Sequence, residues 1–586
     1  MISERKFTYL SVALLGAVAS LILWLVYSPG LDAGFFLDDT SSIRDQAVMM
    51  SDDPSSISRR FPMRAVGYYT FWANYQWFGE DPAAFRLVNM AIHWLMSATV
   101  FLFCHRLLSI TSSHRRATTL WIAGFAALLF LCHPLQTGAV TYIVQRLASL
   151  AGFFFMIALV AWLFLRSTKR GLLIKAVWAL VFIGSTTLAL NTKQNAFTLF
   201  PVILLLELFV LRGVSWKQLL VGALVVVVAV LLAAFVSPEL IAQLDAKTRE
   251  APLISRWDYF SHQWVVLFVY LKKMIWPAPL MLEYGYEVGS FSLTWRVVAG
   301  LCHLIVIGWV LRISRHCPLI AFGVGFFYIT HSVESGLIPI RDLAFEHRNY
   351  LPIVGLFVAL ASVLSWLVHK WPNHKNYMVV GCASLVLALS LVTRDRNVLW
   401  STPEAFLKHD VTHSGESPRA LHNLASWYQN DGKYDKALVV MRSLIKANNG
   451  SLSLTHTTTY LAVLLNVGLF DEVLDLSENL LAVAGNNYER AIVLRYMGTA
   501  FTGIADDEAA VDSFDEARRT LPLDYESGLS YGYSLIQIGE IEAAFTHIAE
   551  MKQRFGDRTK LRMLAKVADN ALQASRANAV EAAPPE

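Results

Sequence analysis

TLWIAGFAALLFLC (119–132), HPLQTGAVTYIVQR (133–146), LASLAGFFFMIALVAWLFL (147–165) and RSTKR (166–170) follow one another without a gap. The third run is 19 uncharged residues. That is about the length of helix that crosses a hydrocarbon layer. The first run is shorter, so its helix is expected to begin earlier. Between them lie a His-Pro break, a polar stretch and Arg146, and after them comes a basic cluster. Two crossings of a bilayer produce this pattern, with the cation-rich end in the cytoplasm and the polar turn on the far side.

Working outward, the same kind of block recurs at 7–28, 87–105, 172–190, 196–211, 218–236, 294–311, 317–335, 351–368 and 377–393, which makes eleven candidate spans. The composition agrees. Of 586 residues 55% are hydrophobic and 16% charged, where a soluble protein is about 25% charged. The 17 Trp, 34 Phe and 21 Tyr exclude a disordered chain. A net charge of +4 without a basic stripe gives no reason to expect nucleic acid. Cys104, Cys132, Cys302, Cys317 and Cys382 all lie in or beside apolar blocks, form no CxxC, and read as small buried hydrophobes. The block at 7–28 follows Arg5 and Lys6 and is too long for a signal-peptide core, so it reads as an uncleaved span.

With a cytoplasmic N-terminus, every inward connection is basic: Arg106/Arg115/Arg116, Arg166/Lys169/Arg170, Arg212/Lys217, Arg312/Arg315 and Lys370/Lys375. Residues 258–276 are long enough to span, but counting them would move two of those clusters outside. The charge rule assigns them to the interface. Two large outward loops follow, 29–86 and 237–293, and an odd span count puts the C-terminal domain outside the cytoplasm.

From about residue 418 the pattern changes. NLASWYQNDGKYDKAL (423–438), YLAVLLNVGLFDEVL (460–474), YMGTAFTGIADDEAA (496–510) and YGYSLIQIGEIEAAF (531–545) place Gly432, Gly468, Gly503 and Gly539 at steps of 36, 35 and 36 residues. This helix–turn–helix period is tetratricopeptide-like. Each glycine is expected to supply a positive-φ turn. Such a solenoid has a groove for a peptide or protein, and serves equally as a spacer. The fold class expected is therefore all-α: a polytopic membrane bundle over 1–400, a non-cytoplasmic repeat domain over 401–575, and an unstructured tail over 576–586.

Polar groups gather at the outer ends of the spans rather than at mid-membrane, as a reaction at the outer surface requires. FFLDDTSSIRD (35–45) sets Asp38 and Asp39 just after the first span. A carboxylate there can take a proton from a hydroxyl, and two adjacent ones can hold a divalent cation. Spacing alone favours a solvated, capping loop. Arg146 opens the fourth span against the positive-inside trend, placed to grip a phosphate or to snorkel to any headgroup. His133 reads more readily as structural. NTKQNAF (191–197) puts Lys193 in an outward turn, for the same phosphate or for nothing more than a polar turn. RDLAFEHRNYLPIVG (341–355) clusters Glu346, His347, Arg348 and Tyr350 before a span, as function or as surface charge pairing. In FRLVNMAIHW (85–94), Asn89 and His93 share a helix face, to orient a substrate or to bond between helices. No glycine-rich phosphate loop, nucleophile elbow or HExxH motif occurs.

Together, the outward DD, the HP…VTYIVQR block, the KQNA turn, the EHRNYLP block and the repeats resemble bacterial relatives of the transmembrane and tetratricopeptide-repeat-containing O-mannosyltransferases, which are GT-C glycosyltransferases. The resemblance covers nearly the whole chain. It implies about eleven spans and a lipid-linked sugar donor on a polyprenyl phosphate. Transfer would occur on the non-cytoplasmic, periplasmic face of a bacterial inner membrane, with inversion. Asp38 or Asp39 would act as base on a hydroxyl acceptor, such as Ser or Thr of an envelope protein held by the repeats. Charge and sidedness nominate Arg146, Lys193 and Arg348 for the donor phosphate. The chain departs from the pattern at SRRFPMR in the first loop, and at FRLVN, where relatives often carry His in place of Arg86. Rival readings are a lipid or polysaccharide acceptor, a membrane scaffold, or transport of the lipid-linked sugar.

Overall fold

A computed structural model describes residues 4–112, 114–167, 171–212, 215, 217, 218, 251, 254–450 and 452–581. Among them there is no strand. The chain forms two compact units that meet between Ser414 and Gly415. The helix Pro403–His413, expected with the repeats, therefore belongs to the first unit.

The first unit contains α1 (Glu4–Tyr27), α2 (Ala65–Phe78), α3 (Pro82–Thr111), α4 (Arg116–Cys132), α5 (Arg146–Ser167), α6 (Leu172–Leu190), α7 (Leu199–Leu206), α8 (Arg256–Ile275), α9 (Leu293–Ile313), α10 (Pro318–His331), α11 (Pro352–Lys370), α12 (Lys375–Trp400) and α13 (Pro403–His413). Among the described residues eight helices are long and apolar enough to cross a membrane, or nine if α4 and the segment after it form one broken span. The expectation was eleven. Of one expected span, 218–236, residues 219–236 lie outside the described residues, and α10 is too short by itself. The 20-residue α8 carries Asp258, Lys272 and Lys273 and does not reach the hydropathy of a span. All five cysteines are free.

Local chemistry sets the helix ends. Asp81 caps α3 by accepting from Ala83 N at 3.0 Å, with Pro82 in the first turn. Helices α10 and α11 also start on proline. Their backbones touch: a Cβ on Gly323 would fall 2.2 Å from the Gly355 carbonyl oxygen. Membrane helices have no hydrophobic drive toward one another, and close backbone approach is what small residues allow them. Leu14, Leu21, Leu180, Leu301, Leu304 and Leu387 stand exposed along the spans. That arrangement suits a lipid solvent.

The second unit is four helix pairs and a last helix: α14 (Pro418–Asn430), α15 (Tyr434–Ala447), α16 (Leu454–Val467), α17 (Phe470–Val483), α18 (Asn487–Gly503), α19 (Asp507–Thr520), α20 (Tyr525–Gln537), α21 (Ile541–Phe555) and α22 (Thr559–Glu581). Gly432, Gly468 and Gly539 adopt positive φ as expected. The third repeat differs. Its positive φ falls on Ala505, at 60°. Gly503 is instead needed for space, because a Cβ there would lie 2.4 Å from the Phe470 ring. Helix α22 runs on to Glu581, into the stretch expected to be an unstructured tail.

Candidate active site

The first loop leaves α1 and turns at Leu37, a non-glycine residue at φ 43°. Strained backbone of this kind persists only where its surroundings hold it. The holding group is Asp39. It is fully buried, and its carboxylate accepts from Phe36 N at 3.2 Å and from Val144 N at 2.7 Å. Burial pushes its carboxyl up to about 7, against the pull of those N–H groups and the Arg86 charge. Arg86 fixes the approach to the turn by donating to the carbonyls of Ala33, Gly34 and Thr141. Asp38 is left exposed. Its backbone N–H donates to the Tyr142 hydroxyl at 3.0 Å. Burial, then the Asp38 and Asp39 charges, push that phenol well above its usual value, so it stays protonated. The neighbouring acids thus differ in kind. Both Asp39 oxygens face N–H donors, so the pair does not offer two free carboxylates to a cation. Among the described residues no three His, Cys, Asp or Glu side chains group as a metal site.

The segment after α4 is bent by 52° at His133, and residues 131–144 are all buried. Irregular backbone at membrane depth requires partners inside the protein. Asn89 Nδ2 donates to Val140 O at 3.0 Å and to Ile143 O at 3.3 Å. His93 bonds Leu131 O at 3.0 Å through Nε2 and the Tyr350 hydroxyl at 3.0 Å through Nδ1. His133 Nε2 bonds Met274 O at 2.9 Å, and its Nδ1 accepts from Leu135 N at 3.3 Å. Asn89, His93, His133 and Tyr350 are therefore spent on holding helices together.

Arg146 corrects a sequence expectation. It is fully buried. Its Nε donates to Asn89 Oδ1 at 2.6 Å, Nη1 to Thr70 O at 3.0 Å and the Thr70 hydroxyl at 3.4 Å, and Nη2 to Asn74 Oδ1 and Phe85 O, both at 2.8 Å. Its guanidinium also lies over the Phe71 ring, 4.5 Å from the centroid. A guanidinium has five N–H groups, and none remains for a phosphate. Arg146 ties α2, in the first loop, to the start of α3.

The other two nominated cations, Lys193 and Arg348, both act on Glu334. Lys193 donates to Glu334 at 2.6 Å. Burial works against the Glu334 carboxylate, but the Lys193 ammonium, and after it the Arg348 guanidinium, holds it down at about 2. Arg348 is buried and donates to Leu343 O at 3.1 Å and Asp342 O at 2.9 Å. His347 stacks on Phe345 with centroids 5.1 Å apart. Burial and then Lys193 push it well below its usual value, so it is neutral. Glu346 faces the second loop, accepting from Met281 N at 2.6 Å and the Tyr284 hydroxyl at 3.0 Å. Burial pushes it up to about 7. Asp410 on α13 clamps the same loop through Leu282 N at 3.0 Å and Glu283 N at 3.1 Å.

The motifs meet at one end of the bundle. Val66 N donates to Asn191 O at 3.1 Å, and Arg64 Nε to Gln194 Oε1 at 3.3 Å, so α2 joins the Lys193 turn. Tyr68, on the same helix, feels the charges of both Arg64 and Asp38. Arg64, Tyr142 and Glu334 are the residues sequence reasoning missed. A lone acid in HSVESG and an arginine in SRRFPMR were visible, but nothing in the chain marks a partner 130 or 141 residues away.

These acids pull the pH dependence of stability in opposite directions, and His347, held neutral by burial, works against folding as pH falls below its usual value. Asp39 and Glu346 sit at about 7 when folded, so the folded state binds more protons and gains stability as pH falls from 7 toward about 4. Glu334, at about 2, acts in the opposite direction. Its contribution is complete above roughly pH 4.5 and is lost as pH falls through the folded value. Thermal unfolding of the full chain in detergent is compared between wild type and Glu334→Gln at each pH, which removes the histidine contribution common to both. The variant should flatten the acid limb below about pH 4.5 and leave the difference above it constant. An acid limb unchanged in that variant would refute the assignment.

No family model matches the chain. Protein O-mannosyl-transferase TMTC3 of Mus musculus is 22% identical over 480 residues, which is 70% of this chain and 49% of that protein. Protein O-mannosyl-transferase TMTC1 of Homo sapiens is 24% identical over 445 residues, 65% and 48% respectively. The homologues are thus the O-mannosyltransferases that the motifs resemble, and the chain spans about half the length of the curated relatives it matches. Among solved structures, MamA 41-end from Desulfovibrio magneticus RS-1 is 20% identical and covers 27% of this chain and 89% of its own, with a TM-score of 0.24.

Proposed function

We propose that the chain is a GT-C membrane glycosyltransferase that moves a sugar from a polyprenyl-phosphate carrier to a Ser or Thr hydroxyl of an envelope protein. The reaction takes place on the periplasmic face of a bacterial inner membrane, with the N-terminus cytoplasmic. The observation that carries this reading is the exposed Asp38, held in a strained turn by the buried Asp39. The names of the relatives support the reaction class.

Asp38 takes the proton of the acceptor hydroxyl as its oxygen attacks the anomeric carbon. The bond from that carbon to the carrier phosphate breaks on the opposite face, and the phosphate leaves with the electron pair. Lys193 offsets the charge that develops there, with Glu334 holding its ammonium in place. Arg64 is the second cation, because its Nη groups make no hydrogen bond among the described residues. Arg348 acts from behind, through Glu334. The Tyr142 hydroxyl steadies Asp38. The repeat domain presents the acceptor.

The test is envelope glycoproteomics in a strain lacking the gene, complemented with wild type or with Lys193→Ala at matched membrane levels. A sugar mass on Ser or Thr peptides should return with wild type, and the variant should lose most of it. Label found only on lipid or polysaccharide would move the acceptor. Unchanged glycans everywhere, with a restored deletion phenotype, would leave the scaffold reading.

A further inference from the structure

An apolar cleft of about 910 Å³ runs between α1, α4 and α12. Leu15, Val18, Leu128, Val386 and Leu387 are among its walls, and among the described residues its charged lining is Lys375 and Arg394. Those two stand 19 residues apart on α12, or roughly 28 Å at about 1.5 Å per residue. The hydrocarbon layer is about 30 Å thick. Neither cation makes a hydrogen bond or ion pair among the described residues. Asp395, next in sequence to Arg394, does not line the cleft.

The same cleft leaves α1 weakly held. Only 11% of its most apolar stretch is buried within the protein. Yet its end is tied to the site: Asn397 donates to Val26 O at 3.0 Å, and Gly30 abuts the Asn397 amide.

We propose that the cleft binds two anionic diacyl phospholipids tail to tail, one phosphate on Arg394 in the outer leaflet and one on Lys375 in the inner. A guanidinium pairs with phosphate through parallel N–H bonds, and an ammonium acts as a point charge. A single cation at a membrane edge would suit any headgroup. Two unpaired cations stand about one hydrocarbon thickness apart at either end of one apolar cleft, so that each side chain can reach outward to a phosphate of its own leaflet. The acyl chains fill the space beside α1 and hold the helix from which the Asp38 loop hangs.

The full chain is reconstituted in phosphatidylcholine nanodiscs doped with phosphatidylglycerol and released for native mass spectrometry. Wild type should retain two phosphatidylglycerols. Lys375→Ala or Arg394→Ala should retain one, and the double variant none. Lys375→Arg and Arg394→Lys should keep both. Phosphatidylglycerol should raise the melting temperature of wild type and leave the double variant, which has no cation to bind it, unchanged. Equal retention in all variants, retention of phosphatidylcholine as readily as phosphatidylglycerol, or a polyisoprenoid in their place would overturn the proposal.

Discussion

Asp38→Asn should lower sugar transfer by about 10² to 10⁴-fold, the usual range for a lost general base, with the protein at its normal level in the membrane. Asp38 is exposed and does not hold the fold. The amide keeps its shape and removes only the proton acceptor. The loss should appear in kcat, with KM for the donor little changed. Asp39→Asn is the control that separates the two acids. One N–H of the Phe36 and Val144 pair would then face an amide NH₂, which costs about 1–3 kcal/mol for a buried group left unmatched. That variant should melt earlier and lose activity in proportion to the folded protein lost. If Asp39→Asn were as inactive as Asp38→Asn at full stability, the assignment of roles would be reversed.

Arg146→Ala should be the most destabilising single substitution near the site, by about 3 kcal/mol or more, because hydrogen bonds to a charged group are each worth about 1.5–3 kcal/mol. Removing the guanidinium strands buried oxygens of Asn89, Asn74, Thr70 and Phe85. Arg146→Lys should recover little, since three tetrahedral donors cannot serve acceptors arranged around a planar fork. A thermal melt and a KM determination decide the matter together. A residue that touched the donor phosphate would raise KM in a protein of normal stability. Arg146 should instead lower the melting temperature and leave KM for the surviving fraction unchanged.

Much of this architecture was legible in the chain. The apolar blocks and the 35- to 36-residue glycine step carry the fold, because span length and repeat period are local properties. The DD pair, the HP block, the KQNA turn and the EHRNYLP block were visible in the chain, and the structure brings them together. Their division of labour was not legible. Asp38 and Asp39 are indistinguishable in sequence, and only the position of Val144 N, 105 residues away, makes one of them a fastener. Arg146 looked like a phosphate ligand because its charge faces outward in the topology. That its five N–H groups are consumed depends on α2 folding back over it, which no local pattern announces. The third repeat failed for a similar reason: Phe470, from the preceding repeat, decides what Gly503 is for.

Arg86 and Arg146 share a property with an effect at a distance. Every hydrogen bond they make goes to a neutral oxygen. Their dipolar partners solvate the two charges without cancelling them, and the anions set against them are Asp39 and, for Arg86, Asp81 as well. The floor beneath the acid loop therefore holds two buried guanidinium charges in place before any substrate arrives. Mobile ions screen exposed charges over about 8 Å at physiological ionic strength, and buried ones much less. Attraction of an anionic headgroup to this end of the bundle should accordingly survive in concentrated salt, where a surface patch of lysines would have lost its pull.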